Sequence, residues 1–296
     1  MKMSHTLPCL LLILGAAGVL AAESKPAAES PDKPAQKASA SADIPLDING
    51  FKTVIAPPAN PAPLRVAIFN GDGAPMGGIE NVQARVASIP GATATLLKPE
   101  VIAEKGLAGY DVIVFSGGSG SGQAKSLGEA GAVRVREFVK GGGGYVGICA
   151  GAYLACSNFS WGLGILNAST VSSKWMRGRG YVDAEVTVDG VPILGEVGEV
   201  FKVRYANVPI LKPGDRADLP AYRPLALFRS EVAENGTPKG IMIHSPAQAV
   251  AHYGKGRVFV SSPHPENTPG LEHLIPRGLL WAAGKLEENP APAPVP

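Results

Sequence analysis

The most informative stretch of the sequence is Gly143-Gly144-Tyr145-Val146-Gly147-Ile148-Cys149-Ala150-Gly151-Ala152. It has the composition of an apolar strand that ends in Gly-x-Cys-x-Gly and continues directly into a helix-forming segment. This is the pattern of a nucleophile elbow, in which small residues flank a strained nucleophile at a strand-to-helix turn. The sequence therefore predicts that Cys149 is a nucleophile. The amide end of the following helix would favour its thiolate form.

Short apolar strands alternate with helical segments on the N-terminal side of this turn. The strands are expected at 64–69, 92–97 and 111–115, and the helices at 79–89, 99–107 and 127–140. Strands that are apolar throughout are typical of a parallel sheet covered by helices on both faces. Ligands bind such sheets at the carboxyl ends of the strands. Three glycine-bearing turns are expected there, at 71–73, at 117–120 and at the elbow itself.

The pattern becomes β-rich after Gly164. Strands are expected at 182–188, 200–205 and 225–232, followed by a hairpin of 248–253 with 257–262 and a closing helix at 271–283. The predicted fold class is α/β, a parallel-sheet, flavodoxin-like sandwich with a β-rich insert.

A second informative stretch, Ser261-Ser262-Pro263-His264-Pro265-Glu266, follows the last strand of that hairpin. His264 can act as a base, and Glu266 can orient it. Taken singly, a Gly-x-Cys-x-Gly is more often structural and a His-Pro-Glu is more often a turn. Their joint occurrence at the ends of strands favours a triad of Cys149, His264 and Glu266.

Composition divides the 296 residues into four parts. Residues 1–22 have the pattern of a secretory signal peptide, with Lys2 before an apolar run and small residues at the cleavage point. Residues 23–60 form an Ala/Pro/Ser/Lys linker of disordered composition, and 287–296 form a proline-rich tail. The folded domain is expected at 61–286. We therefore expect a periplasmic or secreted protein, with a membrane as a partner only if the signal remains uncleaved.

Charge and cysteine content exclude several classes of protein. The net charge is +2 with 18% charged residues, so nucleic acid is not expected as a partner. Without Cys9 of the signal only Cys149 and Cys156 remain, too few for a disulfide scaffold, and Cys156 is expected to be buried. No metal site or cofactor is predicted. The local basic cluster of Lys174, Arg177 and Arg179 is either a solvated loop or a contact for an anionic substrate group.

The order of these motifs resembles class I glutamine amidotransferase-like domains, and most closely the N-terminal domain of some eukaryotic biotin-protein ligases. The similarity spans residues 62–285. It implies Cys149 as nucleophile, His264 as general base and Glu266 as orienting carboxylate. It also implies an oxyanion hole formed by Gly118 and the amide of Ala150.

Five further residues are candidates for binding a substrate or for covering the site. Tyr153 stands where the glutaminases of this class carry a substrate-binding glutamine, so specificity for glutamine is not expected. Asn70 and Asp72, in the turn after the first strand, can contact a ligand or serve only as turn formers. Tyr205 and Asn207 of the insert can cover the site or simply pack.

The sequence supports one leading function and two alternatives. The first is an exported thiol-dependent hydrolase that cleaves an amide or acyl bond in a small or peptide-like substrate. The second is a non-catalytic ligand-binding or scaffold domain that retains the site geometry. The third is a redox-responsive thiol. These functions differ in their dependence on His264.

Overall fold

The computed structural model describes residues 63–171, 176–195, 197–198 and 200–286. The predicted signal peptide, linker and C-terminal tail lie outside the described residues, as does Lys174. Within the described ranges no helix is both long enough and apolar enough to cross a bilayer.

The described residues form eleven strands and six α-helices. The strands are β1 (Leu64–Phe69), β2 (Ala92–Leu97), β3 (Val112–Phe115), β4 (Gly144–Ile148), β5 (Ala168–Thr170), β6 (Arg179–Val186), β7 (Phe201–Ala206), β8 (Leu211–Pro213), β9 (Arg223–Phe228), β10 (Pro246–Tyr253) and β11 (Gly256–Ser261). The helices are α1 (Met76–Ala87), α2 (Pro99–Lys105), α3 (Gly120–Lys140), α4 (Ala150–Ala155), α5 (Val191–Leu194) and α6 (Leu274–Ala282). A 3₁₀ turn covers Pro265–Asn267.

Nine strands form one mixed sheet in the order β2-β1-β3-β4-β11-β10-β9-β6-β7. The first five strands in that order are mutually parallel, and the rest join through antiparallel pairs. The order of the parallel part is that of flavodoxin-like folds. The predicted fold class is therefore confirmed, including the hairpin of β10 and β11.

The parallel strands are apolar on both faces because both faces are covered. Along β1, Val66 and Ile68 belong to one buried cluster, whereas Ala67 and Phe69 belong to another. Successive side chains of a strand point to opposite faces, so the two clusters lie on opposite sides of the sheet. Residues of α1 and α6 join the first cluster, and residues of α2, α3 and α4 join the second.

Helix α3 begins seven residues before the predicted start at residue 127. The Ser119 side chain caps it by accepting a hydrogen bond from the amide of Gly122 at 3.1 Å. Gly128, with φ 66° and ψ 170°, interrupts the helical backbone. The glycines of this first segment have low helix propensity, which is why the sequence pattern predicted a loop there.

The β-rich insert extends the main sheet, with β6 and β7 at its far end. The free edge of β7 meets the turn that carries His264. The amide of His264 donates to the carbonyl of Arg204 at 2.9 Å, and the amide of Arg204 donates to Oγ1 of Thr268 at 3.1 Å. These bonds hold the insert near the carboxyl ends of β4 and β11.

Candidate active site

Cys149 lies between the end of β4 and the start of α4 with a left-handed φ of 51° and a ψ of −97°. Few non-glycine residues adopt positive φ, and such strain is concentrated at functional sites. The backbone N–H of Cys149 donates to the carbonyl of Ser261 at 2.8 Å. The elbow is therefore tied to the end of β11, the strand that precedes His264.

The two glycines that flank Cys149 allow the strand and the helix to approach closely. A Cβ atom on Gly147 would lie 2.5 Å from the carbonyl oxygen of Gly151. A Cβ atom on Gly151 would lie only 2.2 Å from the carbonyl oxygen of Phe115 in β3. The buried hydroxyl of Tyr145 also donates to the Gly151 carbonyl, at 2.7 Å. The Gly-x-Cys-x-Gly spacing therefore has a steric cause in the structure.

His264 and Glu266 are joined by a hydrogen bond of 2.7 Å between Nδ1 and Oε1. Both are buried, with exposures of 7% and 4%. Burial lowers the pKa of the His264 imidazole, but the charges of Glu266 and Cys149 and hydrogen bonds to both outweigh burial and raise that pKa to about 10. The imidazole is therefore set between a carboxylate on one side and the nucleophile on the other.

Gly117, in the turn after β3, lies beside the side chains of both Cys149 and His264. The sequence alone did not distinguish it from the other glycines of this turn. A Cβ atom on Gly117 would lie 2.9 Å from Cε1 of His264 and 3.8 Å from Cβ of Cys149. Any side chain there would displace the imidazole. The Gly117-Gly118 pair is visible in the sequence, but only the tertiary structure shows that Gly117 is the glycine next to Cys149 and His264.

The two predicted oxyanion-hole residues lie on the turns that border Cys149. Gly118 has φ 135°, and a Cβ atom there would lie 2.1 Å from the carbonyl oxygen of Gly73. Its amide donates no hydrogen bond within the described part of the chain. Ala150 is the first residue of α4, so its amide has no acceptor within the helix. Both N–H groups are therefore available to an oxygen atom bound beside Cys149.

The insert covers the nucleophile. The carbonyl oxygen of Ala206 lies 3.9 Å from the sulfur of Cys149, and only 6% of Cys149 is exposed. The Tyr153 hydroxyl donates to the next carbonyl, that of Asn207, at 3.3 Å. We call residues 205–207 the roof of the site. The sequence left open whether Tyr205 and Asn207 cover the site, and they form part of this roof.

The other predicted site residues have different surroundings. Asn70 and Asp72 lie in the turn after β1, where their backbone amides donate to the Leu97 carbonyl and to Oγ of Ser126. Neither side chain hydrogen-bonds to the triad within the described residues. The ring of Tyr153 packs edge-on against Phe159, with ring centroids 6.1 Å apart. Its hydroxyl donates the hydrogen bond to the Asn207 carbonyl of the roof.

Two predictions on charge and cysteine chemistry have definite outcomes. The solvated-loop interpretation is wrong for Arg177, which is only 1% exposed and pairs with Glu231 at 3.3 Å, whereas Arg179 is exposed. Cys156 is buried and unpaired, as predicted, and burial raises its pKa to about 12. Among the described residues no group of three His, Cys, Asp or Glu side chains has the arrangement of a metal site.

Comparison with known proteins supports the resemblance found in the sequence. Residues 64–176 match the family described as "Biotin-protein ligase, N terminal". No curated protein matches the sequence significantly.

Solved structures share the fold at low sequence identity. A ThuA-like protein from Parabacteroides merdae is 15% identical, with 77% of this chain and 93% of that chain aligned at a TM-score of 0.50. A ThuA-like protein from Bacteroides uniformis is 18% identical, with the same coverage and a TM-score of 0.50. A glutamine amidotransferase from Thermotoga maritima is 17% identical, covering 74% and 96% of the two chains at a TM-score of 0.46. The predicted resemblance to the N-terminal domain of biotin-protein ligases is confirmed over residues 64–176, and the two ThuA-like structures share the α/β fold of this chain.

Proposed function

We propose that this protein is a thiol-dependent hydrolase that cleaves an amide or related acyl bond with Cys149, His264 and Glu266. The observation that carries the proposal is the combination of a strained, helix-linked cysteine with a buried histidine and carboxylate 2.7 Å apart. An activated nucleophile needs a base within reach and a third group that orients the base. The raised pKa of His264 agrees with an imidazolium held by the carboxylate of Glu266.

The chemistry follows from this arrangement. The sulfur of Cys149 attacks the substrate carbonyl carbon, and the carbonyl oxygen gains negative charge near the amides of Gly118 and Ala150. His264 donates its proton to the leaving nitrogen as the carbon–nitrogen bond breaks, which leaves a thioester on Cys149. Water, deprotonated by His264, then attacks the thioester. The products are a carboxylic acid and an amine, and the thiolate is regenerated with a protonated imidazole.

Glutamine is not favoured as the substrate of this site. At position 153 the chain has a tyrosine in place of the glutamine typical of glutaminases, and its hydroxyl is engaged with the roof. The substrate is instead a small or peptide-like amide. The signal-like segment of residues 1–22 supports hydrolysis in the periplasm or outside the cell.

A second function is favoured by the burial of the site. Cys149, His264 and Glu266 are all less than 10% exposed, and the roof lies against Cys149. A domain that only holds a small amide or carboxylate ligand would not need the roof to open in each cycle. Such a binding domain would need the shape of the site but not the basicity of His264.

Turnover by matched variants distinguishes the two functions. Purified protein is incubated with a panel of chromogenic amides and short peptides, and release of amine is followed. Cys149→Ala is expected to abolish turnover, and His264→Ala to lower kcat by about 10²–10⁴-fold. Glu266→Gln should cost less, because it removes orientation and leaves the base. Cys156→Ala, at the second buried cysteine, serves as the control.

Two results would count against hydrolysis. Unchanged turnover in Cys149→Ala would exclude a covalent mechanism at this residue. Tight ligand binding that survives both Cys149→Ala and His264→Ala, with no turnover in the wild type, would establish the binding domain instead.

A further inference from the structure

Arg177 is a buried cation with an unsatisfied donor. Its Nε donates to the carbonyl of Val232 at 3.2 Å, and its Nη2 pairs with Oε2 of Glu231 at 3.3 Å. Its Nη1 is buried and has no hydrogen-bond partner. The other carboxylate oxygen of Glu231 accepts from the amide of Gly240 at 2.7 Å, so Glu231 is shared between two donors.

Burial of the Arg177 guanidinium lowers the stability of the fold unless a further group accepts a hydrogen bond from Nη1. A buried donor without a partner costs about 1–3 kcal/mol, and more when it is charged. A single ion pair at 3.3 Å uses only part of the five-donor fork of a guanidinium. Guanidinium groups match carboxylates with two parallel hydrogen bonds, which makes a carboxylate the anion that suits Nη1.

Arg177 is attached directly to the roof of the nucleophile. Its neighbour Gly178 donates to Oδ1 of Asn207 at 2.8 Å and accepts from the amide of Asn207 at 3.0 Å. Asn207 follows Ala206, the residue whose carbonyl lies 3.9 Å from the Cys149 sulfur. In the register of β6 and β7, Arg179 is paired with Ala206. Only Gly178 therefore lies between Arg177 and Arg179, the strand partner of the residue whose carbonyl faces the Cys149 sulfur.

Tyr153 and Tyr205 each interact electrostatically with both Arg177 and Cys149. Burial raises the pKa of Tyr205, whereas the charge of Arg177 lowers it and that of Cys149 raises it. Tyr153 likewise interacts with both Cys149 and Arg177, and burial raises its pKa. Both phenols therefore stay protonated at neutral pH.

We propose that Arg177 binds a carboxylate of the substrate, so that the site selects amides that carry a free carboxylate near the scissile bond. This inference rests on the proposed hydrolase function, and it names the class of substrate. An N-acyl amino acid or the C-terminal residue of a peptide has the required chemistry. Glu231 positions the guanidinium, and Nη1 is the donor that meets the substrate.

The test uses alkylating probes that place a carboxylate at increasing distances from the reactive carbon. The probes are N-chloroacetyl glycine, N-chloroacetyl β-alanine and N-chloroacetyl γ-aminobutyrate, each compared with its neutral methylamide. Labelling of Cys149 in the full chain is followed by mass spectrometry. A hydrogen bond between charged groups favours one length of the carboxylate probe over its methylamide by about ten- to a hundredfold.

Variants at the ion pair assign this preference to Arg177. Arg177→Met should remove the preference, and Arg177→Lys should retain part of it, since an ammonium keeps the charge but loses the fork. Arg216→Met, which removes an exposed arginine that pairs with Asp218, is the matched control and should keep the preference. The rate with each neutral methylamide reports any general effect of a substitution on Cys149, so the preference is taken as the ratio of the two labelling rates within each variant.

The outcomes separate this inference from the proposed function. Amide turnover without a carboxylate preference at any probe length in the wild type would overturn the role of Arg177 and leave hydrolysis intact. An undiminished preference in Arg177→Met would also overturn it. A preference that depends on Arg177, in a protein that hydrolyses no amide, would reject hydrolysis and leave the carboxylate site in place. The wild-type series and Arg177→Lys decide the matter if Arg177→Met does not fold.

Discussion

Replacing Gly151 with alanine is expected to damage both the stability of the domain and the position of the nucleophile. The new Cβ atom would lie 2.2 Å from the carbonyl oxygen of Phe115 and 3.0 Å from the carbonyl carbon. Ordinary carbon–oxygen contacts are about 3.3–3.6 Å, so α4 and β3 must separate by about 1 Å. Both groups are backbone, and no side-chain rotation relieves the contact.

The expected loss follows from that displacement. Overpacking of a tight contact lowers the free energy of unfolding by about 1–3 kcal/mol. Cys149 lies two residues before Gly151, so a shift of α4 also moves the sulfur relative to His264. A misplacement of about 1 Å lowers the rate of a positioned reaction by about a hundredfold.

The assay combines urea denaturation with the rate of iodoacetamide labelling at Cys149. Gly77→Ala is the matched control, because no atom lies within 4 Å of the position its Cβ would take in α1. Alanine in a helix is expected to leave that variant as stable as the wild type or more stable, by up to about 1 kcal/mol. The steric account of the elbow is refuted if Gly151→Ala has the stability and labelling rate of the wild type.

Two further predictions concern the base and the roof. Because the pKa of His264 is raised from 6.5 to about 10, its interaction with Glu266 stabilises the fold fully below pH 6.5 and is lost as the pH rises through about 10. The stability difference between wild type and Glu266→Gln in urea denaturation should therefore shrink with rising pH, and a constant difference would contradict this. Asn207→Ala should lower the unfolding free energy by about 1–3 kcal/mol and speed Cys149 alkylation, since it removes the bond to Gly178. Asn207→Gly, which tolerates the φ of 54° but also lacks the side chain, should speed labelling at a smaller cost in stability, and unchanged labelling in both variants would argue against the roof.

The central sheet could be predicted because its signals are local. Runs of apolar residues mark the parallel strands, and glycines mark the turns at their carboxyl ends. Cys149 and His264 were predicted as site residues for the same reason, since Cys149 directly follows β4 and His264 lies three residues beyond the end of β11. Strands that are parallel and adjacent bring their ends together, as the pairing of β4 with β11 does.

The roof could not be predicted because its contacts join distant parts of the chain. The contact between Cys149 and Ala206 spans 57 residues, and the ion pair of Arg177 with Glu231 spans 54. Nothing in the local sequence of Arg177 marks it as buried, because it is preceded by Lys174 and followed by glycine and Arg179. Burial of a charge depends on a partner, and the partner is visible only in the tertiary structure.

The position of the roof also depends on the turn that carries the base. The amide of His264 donates to Arg204, and Oγ1 of Thr268 accepts from Arg204 while it donates to the carbonyl of His264 at 2.6 Å. Movement of β7 at Arg204 would therefore displace His264. At the other end the roof is held by Asn207, through a 3.3 Å hydrogen bond from Tyr153 and two bonds to Gly178. We expect release of those bonds to expose Cys149 without moving His264. Access to Cys149 and the position of His264 would then depend on opposite ends of the same three-residue segment and its flanking strand.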